Sequence, residues 1–430
     1  MSALPYPFRT VGILAIVLMF TLPPVHGSTV DRLYEFGDPG SPDATLSPPS
    51  VTVSANVTNG AAVGFVFNGQ TLTGDGAGVS GAFQDLRVVG SPKYASISGQ
   101  PLGGSGFGIH FNGVSDYLVG ENLNNPAISR ASLGYTDDSS TPAPGPLNYN
   151  NISNRFFQLW VKPDGSGLNN GQAQDVVLDS NQHGVRISAG DTWVLRYGGN
   201  DFNSQVAVDT NWHHVMVARP NGPANGSMLW VDGIAVGAIG GGYDGSATAP
   251  NDPARLELVV GANTSRDETG FFTGGNANFF AGTIDDLRMS VIGDNSSDVG
   301  PPPGQNYGPF NFAIDNEFAA AQLANLVAHP GDINLDGVLN NLDKNAFIAG
   351  WLHENRINGV RVGDLTTLAA GDLNFDGVTN LGDLALMQSA LAAQGIAGIT
   401  PAQLATPEPS TIYLLVLAGV CGCCRLRRCP

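Results

Sequence analysis

Two short stretches carry the residues best suited to chemistry. Residues 331–343 read GDINLDGVLNNLD and residues 371–383 read GDLNFDGVTNLGD. Both follow the pattern D-x-N-x-D-G-V-x-N-x-x-D, and their first aspartates, Asp332 and Asp372, lie 40 positions apart (372 − 332). Oxygen-bearing side chains fall where a tight loop presents alternate ligands to a hard cation. Calcium takes about six to eight oxygens, including one backbone carbonyl at the seventh loop position. In the first copy the expected ligands are Asp332, Asn334, Asp336, the carbonyl of Val338, Asn340 (directly or through water) and Asp343. In the second they are Asp372, Asn374, Asp376, the carbonyl of Val378, Asn380 and Asp383. Gly337 and Gly377 permit the sharp turn at the sixth position. A pair of Asx-rich surface turns is the bland alternative. It explains one copy more readily than two copies in register.

Each loop runs into apolar positions spaced for one face of a helix: Phe347, Ile348, Trp351 and Leu352 after the first, and Leu384, Met387 and Leu391 after the second. Aspartate stands at the twelfth position, where a standard EF-hand has glutamate, and no clear helix enters either loop. Duplicated loop–helix units of this kind resemble dockerin type I modules. The resemblance covers residues 330–392 and implies two calcium ions and a cohesin-like protein partner. It departs from the family at the residues after the ninth loop position. Dockerins carry a small hydroxyl residue there, and this chain has Asn341-Leu342 and Leu381-Gly382.

The rest of the chain must position this module. With 430 residues there is room for two or three domains. The formal charge is −18, with only 19 Lys and Arg, which argues against a nucleic-acid partner. Glycine, at 57 residues, is well above the usual share of about 7% and points to a turn-rich β protein. All four cysteines lie in the last ten residues. The body therefore has no thiol nucleophile or cysteine zinc site, and its core must be large enough to fold without disulfides.

Residues 1–27 have the basic, apolar and small-residue regions of a secretory signal, so export is expected. Residues 28–295 read as β runs separated by Gly, Asn, Asp and Pro. The runs include Arg32–Phe36, Ser50–Val57, Phe83–Val89, Phe107–Val119, Phe156–Val161, Trp193–Tyr197, Trp212–Ala218, Met228–Val231, Ile234–Val236 and Phe279–Met289. Asp232-Gly233 is a hairpin signal. The expected fold class is mainly β, a two-sheet sandwich, followed by a small helical calcium module. FNGVSDY (111–117), FFQLWVKP (156–163), NWHHVMVAR (211–219), MLWVDGIAV (228–236) and FFAGTIDDLRM (279–289) together resemble the laminin-G-like, concanavalin-A-like jelly roll.

Residues 296–329 read as a linker with a short helix, Asn316–Val327, capped by Asp315, whose Phe318, Leu323 and Leu326 suit packing on either neighbour. A spacer at 393–406 precedes Pro407-Glu408-Pro409, an apolar run to Cys424, and then Arg425, Arg427 and Arg428. That run is short for a membrane span of about 30 Å. The segment 407–430 resembles the PEP-CTERM sorting signal. The resemblance implies transient membrane insertion, an exosortase-type processing enzyme, and a cell-envelope, surface or matrix destination.

Concanavalin-A-like folds also host glycoside hydrolases, which need two carboxylates about 5–9.5 Å apart. Between residues 28 and 300 the only glutamates are Glu35, Glu121, Glu257 and Glu268. Asp285-Asp286 and His213-His214 are adjacent pairs, and strand neighbours point to opposite faces. No catalytic residues are therefore assigned. Trp160, Trp193, Trp212 and Trp230 fit a core better than a sugar platform. The expectation is a non-catalytic exported protein whose sandwich binds glycan or protein. A polysaccharide-degrading enzyme, or a component of a polysaccharide catabolic complex, is the alternative.

Overall fold

The computed structural model describes residues 29–34, 36, 62–63, 65–67, 70–72, 86–102, 106–120, 155–178, 183–197, 200–219, 227–240, 258–266, 272–291, 312–324, 326 and 329–404. The expected signal segment, the Ser50–Val57 run and the 407–430 segment lie outside these residues.

Two antiparallel sheets form a sandwich. The first runs in the order β16 (Ile234–Ile239), β15 (Ser227–Val231), β14 (His213–Arg219), β9 (Arg155–Pro163), β20 (Ala281–Val291), β1 (Thr29–Tyr34), β3 (Phe65–Phe67), β4 (Gln70–Leu72). Two further strands, β6 (Lys93–Ser96) and β7 (Phe107–Asn112), join it at β20. The second sheet runs β13 (Asn200–Ala207), β12 (Thr192–Tyr197), β11 (Gly184–Ile187), β10 (Gln174–Leu178), β17 (Val259–Val260), β8 (Tyr117–Gly120), β5 (Leu86–Val89), β2 (Ala62–Val63). A separate ribbon pairs β18 (Asn263–Arg266) with β19 (Phe272–Ala277).

The run 107–119 is not one strand, as its apolar content suggests. The side chain of Asn112 accepts hydrogen bonds from the amides of Val114, Ser115 and Asp116, and Gly113 turns with φ +73°. This Asx turn passes the chain from β7 in one sheet to β8 in the other. Strand β20 changes neighbour along its length. Residues 281–284 pair with β7 and residues 287–291 pair with β1. Between them Asp286, at φ +53°, makes a bulge. The expected Asp232-Gly233 hairpin is present, with φ +50° and +74° and Val231 opposite Ile234.

The core between the sheets follows the pleat. Phe157, Leu159 and Val161 of β9 and Val215 and Val217 of β14 meet Val185, Ile187, Trp193 and Leu195 of the second sheet. The opposite face of β9 and β14, continued on β15, is also apolar and buried: Phe156, Met216, Ala218, Met228 and Trp230. The C-terminal third of the chain covers it.

That third begins with α1 (Phe312–Asp315) and α2 (Glu317–Gln322). Asn316 caps α2, accepting from the Ala319 amide, so Asp315 is the last residue of the preceding turn and not the cap. Next come α3 (Asn341–Ala349), the hairpin β21–β22 (Arg356–Ile357 and Val360–Arg361), α4 (Leu365–Leu368), α5 (Leu381–Ala393) and α6 (Pro401–Leu404). The module has its own core of Ile333, Leu339, Phe347, Met387 and Leu391. A second apolar cluster joins it to the sheet. Phe312, Ala319, Leu323, Val362 and Leu368 pack there against Met216, Met228 and Trp230. The described part of the expected linker is thus a packed wedge. Leu352, expected on the helix face, lies beyond the end of α3 with φ +65° and is exposed.

Candidate metal centre

Both loops close on the same hydrogen-bond scheme. In the first, Asp332 accepts from the amides of Asp336 (3.2 Å) and Gly337 (2.7 Å). Asn334 and Asp336 each accept from the amide two residues on, and Asp343 accepts from Ile333, Asn334 and Asn340. In the second, Asp372 accepts from Asp376 (3.1 Å) and Gly377 (2.9 Å). Asn374 and Asp376 repeat the two-residue pattern, and Asp383 accepts from Leu373, Asn374 and Asn380. Asn340 and Asn380 cap α3 and α5 in reciprocal boxes with Asp343 and Asp383. The side-chain amides of Asn340 and Asn380 reach the carbonyls of Val338 and Val378. Within each loop the six expected ligand residues are thus tied to one another by hydrogen bonds, and among the described residues only the second loop gathers three carboxylates into one group.

Fully buried Asp332, Asp343, Asp372 and Asp383 stand at the first and last positions of the loops. In the second loop, oxygens of Asp372, Asp376 and Asp383 lie within 4.8 Å of one another. Burial raises Asp372 to about 6; hydrogen bonds from Thr367 and Gly377 oppose the shift, and the charges of Asp383 and Asp376 add to it. Asp383 is raised as well, burial again leading. Carboxylates held together at such a cost fit a divalent cation that neutralises them. The donor set, all oxygen, suits calcium or magnesium rather than a soft metal.

The loops differ in their surroundings. A methyl group placed on Gly337 would meet nothing within 4 Å, whereas one on Gly377 would lie 2.6 Å from the Val362 amide nitrogen. The β21–β22 segment lines the second loop. The amide of Asn355 donates to the carbonyl of Gly377, and that of Thr379 to the carbonyl of His353. Two residues outside the expected set also bear on this loop. Thr367 donates to the Asp372 carboxylate at 2.8 Å, and it forms a capping box with Asp364. The D-x-x-T spacing at the start of α4 marks a helix cap in the sequence but gives no sign of a contact with the Asp372 loop.

The residue pairs weighed for catalysis each have polar partners in the structure. His213 lies between Asp209 and Asp232, which raise its pKa against the effect of burial. His214 points to the other face, fully buried between Gln158 and Phe318, and burial lowers it to about 3. Asp285 is buried beside Gln100, and Asp286 pairs with Arg288. Trp160, Trp193, Trp212 and Trp230 are all buried. A His183–Ser227 hydrogen bond of 2.5 Å is sealed in the interior, with Ser227 fully buried.

No family model and no curated protein sequence matches the chain. Among solved structures, Trypanosoma rangeli sialidase in complex with sialic acid is similar over 55% of this chain and 30% of its own, at 12% identity and TM-score 0.34. The receptor binding domain of botulinum neurotoxin C/D mosaic serotype is similar over 55% and 47%, at 14% identity and TM-score 0.30. The binding domain of botulinum neurotoxin DC in complex with rat synaptotagmin II is similar over 48% and 45%, at 12% identity and TM-score 0.29. The chain spans less than half the length of each. Likeness at this level supports no statement about ligand or activity.

Proposed function

We propose that this is an exported, non-catalytic surface or matrix protein. Its jelly-roll-like sandwich binds glycan or protein, and its dockerin-like module binds two calcium ions. One observation carries the reading: two loops 40 residues apart (372 − 332) adopt one hydrogen-bond scheme around buried first and last aspartates. Nothing in an Asx turn alone requires that a twelfth-position carboxylate fold back to the loop entrance. A calcium loop does require it. Export and envelope sorting rest on the sequence features of 1–27 and 407–430. A cohesin-like partner would have to meet Leu342 and Leu381, which stand exposed where dockerins carry hydroxyls.

The full chain is tested on a glycan array and against soluble polysaccharides, with and without calcium. Glycan or protein capture without release of reducing sugar supports the reading. Release of reducing sugar that persists on repurification would replace it with the hydrolase alternative.

A further inference from the structure

Among the described residues, the second loop is joined to the sandwich by a path of hydrogen bonds, whereas the first loop meets the shared apolar cluster through Leu335. The β15–β16 turn presents a backbone donor and acceptor to residues 363–367. The Ala235 amide donates to Asp364 Oδ2 at 3.0 Å, and the Leu365 amide donates to the Gly233 carbonyl at 3.2 Å. The Trp230 indole donates to the Gly363 carbonyl at 3.1 Å. Asp364 Oδ1 accepts the amides of Thr366 and Thr367, so its two oxygens bridge the sheet and the start of α4. Thr367 has one hydroxyl proton and two acceptors in reach, the Asp364 carbonyl at 3.0 Å and Asp372 Oδ2 at 2.8 Å. The shorter contact, to the carboxylate, is the stronger. A continuous path therefore runs from the sheet hairpin through Asp364 and Thr367 to the first carboxylate of the second loop. The apolar side of the same seam is Phe375, inside that loop, packed on Phe312 at 5.2 Å, which packs in turn on Trp230 at 5.7 Å. Forty positions earlier, at the counterparts of Asp364 and Thr367, stand Ala324 and Val327, whose side chains offer no such donor or acceptor.

We propose that an ion in the second loop latches the module onto the sandwich through Asp372, Thr367 and Asp364, while an ion in the first loop, which meets the seam only through the apolar side chain of Leu335, has no such hydrogen-bonded path among the described residues. Thr367 and Asp364 are positioning residues. Thr367 holds the Asp372 carboxylate at Oδ2, beside the Gly377 amide, leaving Oδ1 to the Asp376 amide, and Asp364 carries that constraint to Ala235. This rests on the calcium reading above.

Calcium alone is titrated into the full chain while amide exchange is followed at Ala235 and Leu365. In the native chain and in Asp332→Ala, calcium is expected to slow exchange at both amides by about tenfold or more. In Asp372→Ala it has no such effect. Thr367→Val lowers the affinity of one site by about 10- to 100-fold, as loss of an outer partner does, and abolishes the slowing. Thr367→Ser, which keeps the hydroxyl, restores both and separates the latch from simple misfolding. Calcium that binds without slowing exchange at Ala235, or slowing that Asp332→Ala also abolishes, overturns the latch and leaves the calcium reading standing. A native chain that binds no calcium overturns both.

Discussion

Gly337 and Gly377 occupy the same loop position, at φ +86° and +82°. A side chain in that left-handed region costs about 1–2 kcal/mol on conformation alone. At Gly337 nothing adds to the cost. At Gly377 the new methyl group would also press on the backbone at Val362. Gly337→Ala should therefore lower stability by about 1–2 kcal/mol, and Gly377→Ala by clearly more, as read from thermal or urea midpoints. Equal losses would show that the two loops do not differ in packing as described. The shared loop geometry at the expected ligand positions was legible in the sequence, because its spacing is set by one loop and needs no distant partner. Thr367 and Asp364 were not, because their role depends on a sheet edge more than 100 residues away (364 − 235).

At the scale of elements, α2 is the wedge whose role the sequence left open. Phe318 stacks on His214 and meets Trp160 edge-on. Glu317, pairing with Arg288, is pushed up to about 7, chiefly by burial. A raised carboxyl contributes fully below its unfolded value of about 4.5 and loses its contribution as pH rises through 7. The Glu317 contribution to docking of α2 should therefore fall between about pH 4.5 and 7, and Glu317→Gln should remove that contribution and leave the opposite slope of His214. His214 works in the opposite sense. It is held neutral with a pKa lowered to about 3, so its contribution is present above about 6.5 and lost as pH falls. Exchange at α2 amides from below pH 4.5 to above pH 7 checks both slopes; identical profiles for native and Glu317→Gln chains would refute the assignment. The sandwich strands were legible from their alternation, but 107–119 read as one strand because an Asx turn interrupts it without breaking the apolar pattern. Strand β13 has no buried residue and the sequences of β18 and β19, NTSR and FTGGNA, have no apolar alternation, so none of the three gave a signal.

Across the whole molecule, the first sheet is buried on both faces at β9, β14 and β15. That explains why FFQLWV and HHVMVA show apolar or bulky residues at nearly every position, where a one-sided strand alternates. The composition of residues 296–329 suggests a spacer, and with it a module that melts independently of the sandwich. The shared cluster of Met216, Met228, Trp230, Phe312 and Val362 couples them instead. Trp230→Ala should lower stability by about 3–5 kcal/mol and expose the 352–368 segment to protease, because it removes both an apolar anchor and the hydrogen bond to Gly363. If only the sandwich is destabilised and that segment stays protected, the coupling is refuted.

The central claim is that the duplicated loops hold divalent ions, and calorimetric titration of the metal-stripped full chain addresses it most directly. The account predicts two calcium ions bound per native chain and one each for Asp332→Ala and Asp372→Ala. A native chain that takes up no calcium, or variants that bind as many ions as the native chain, would contradict it.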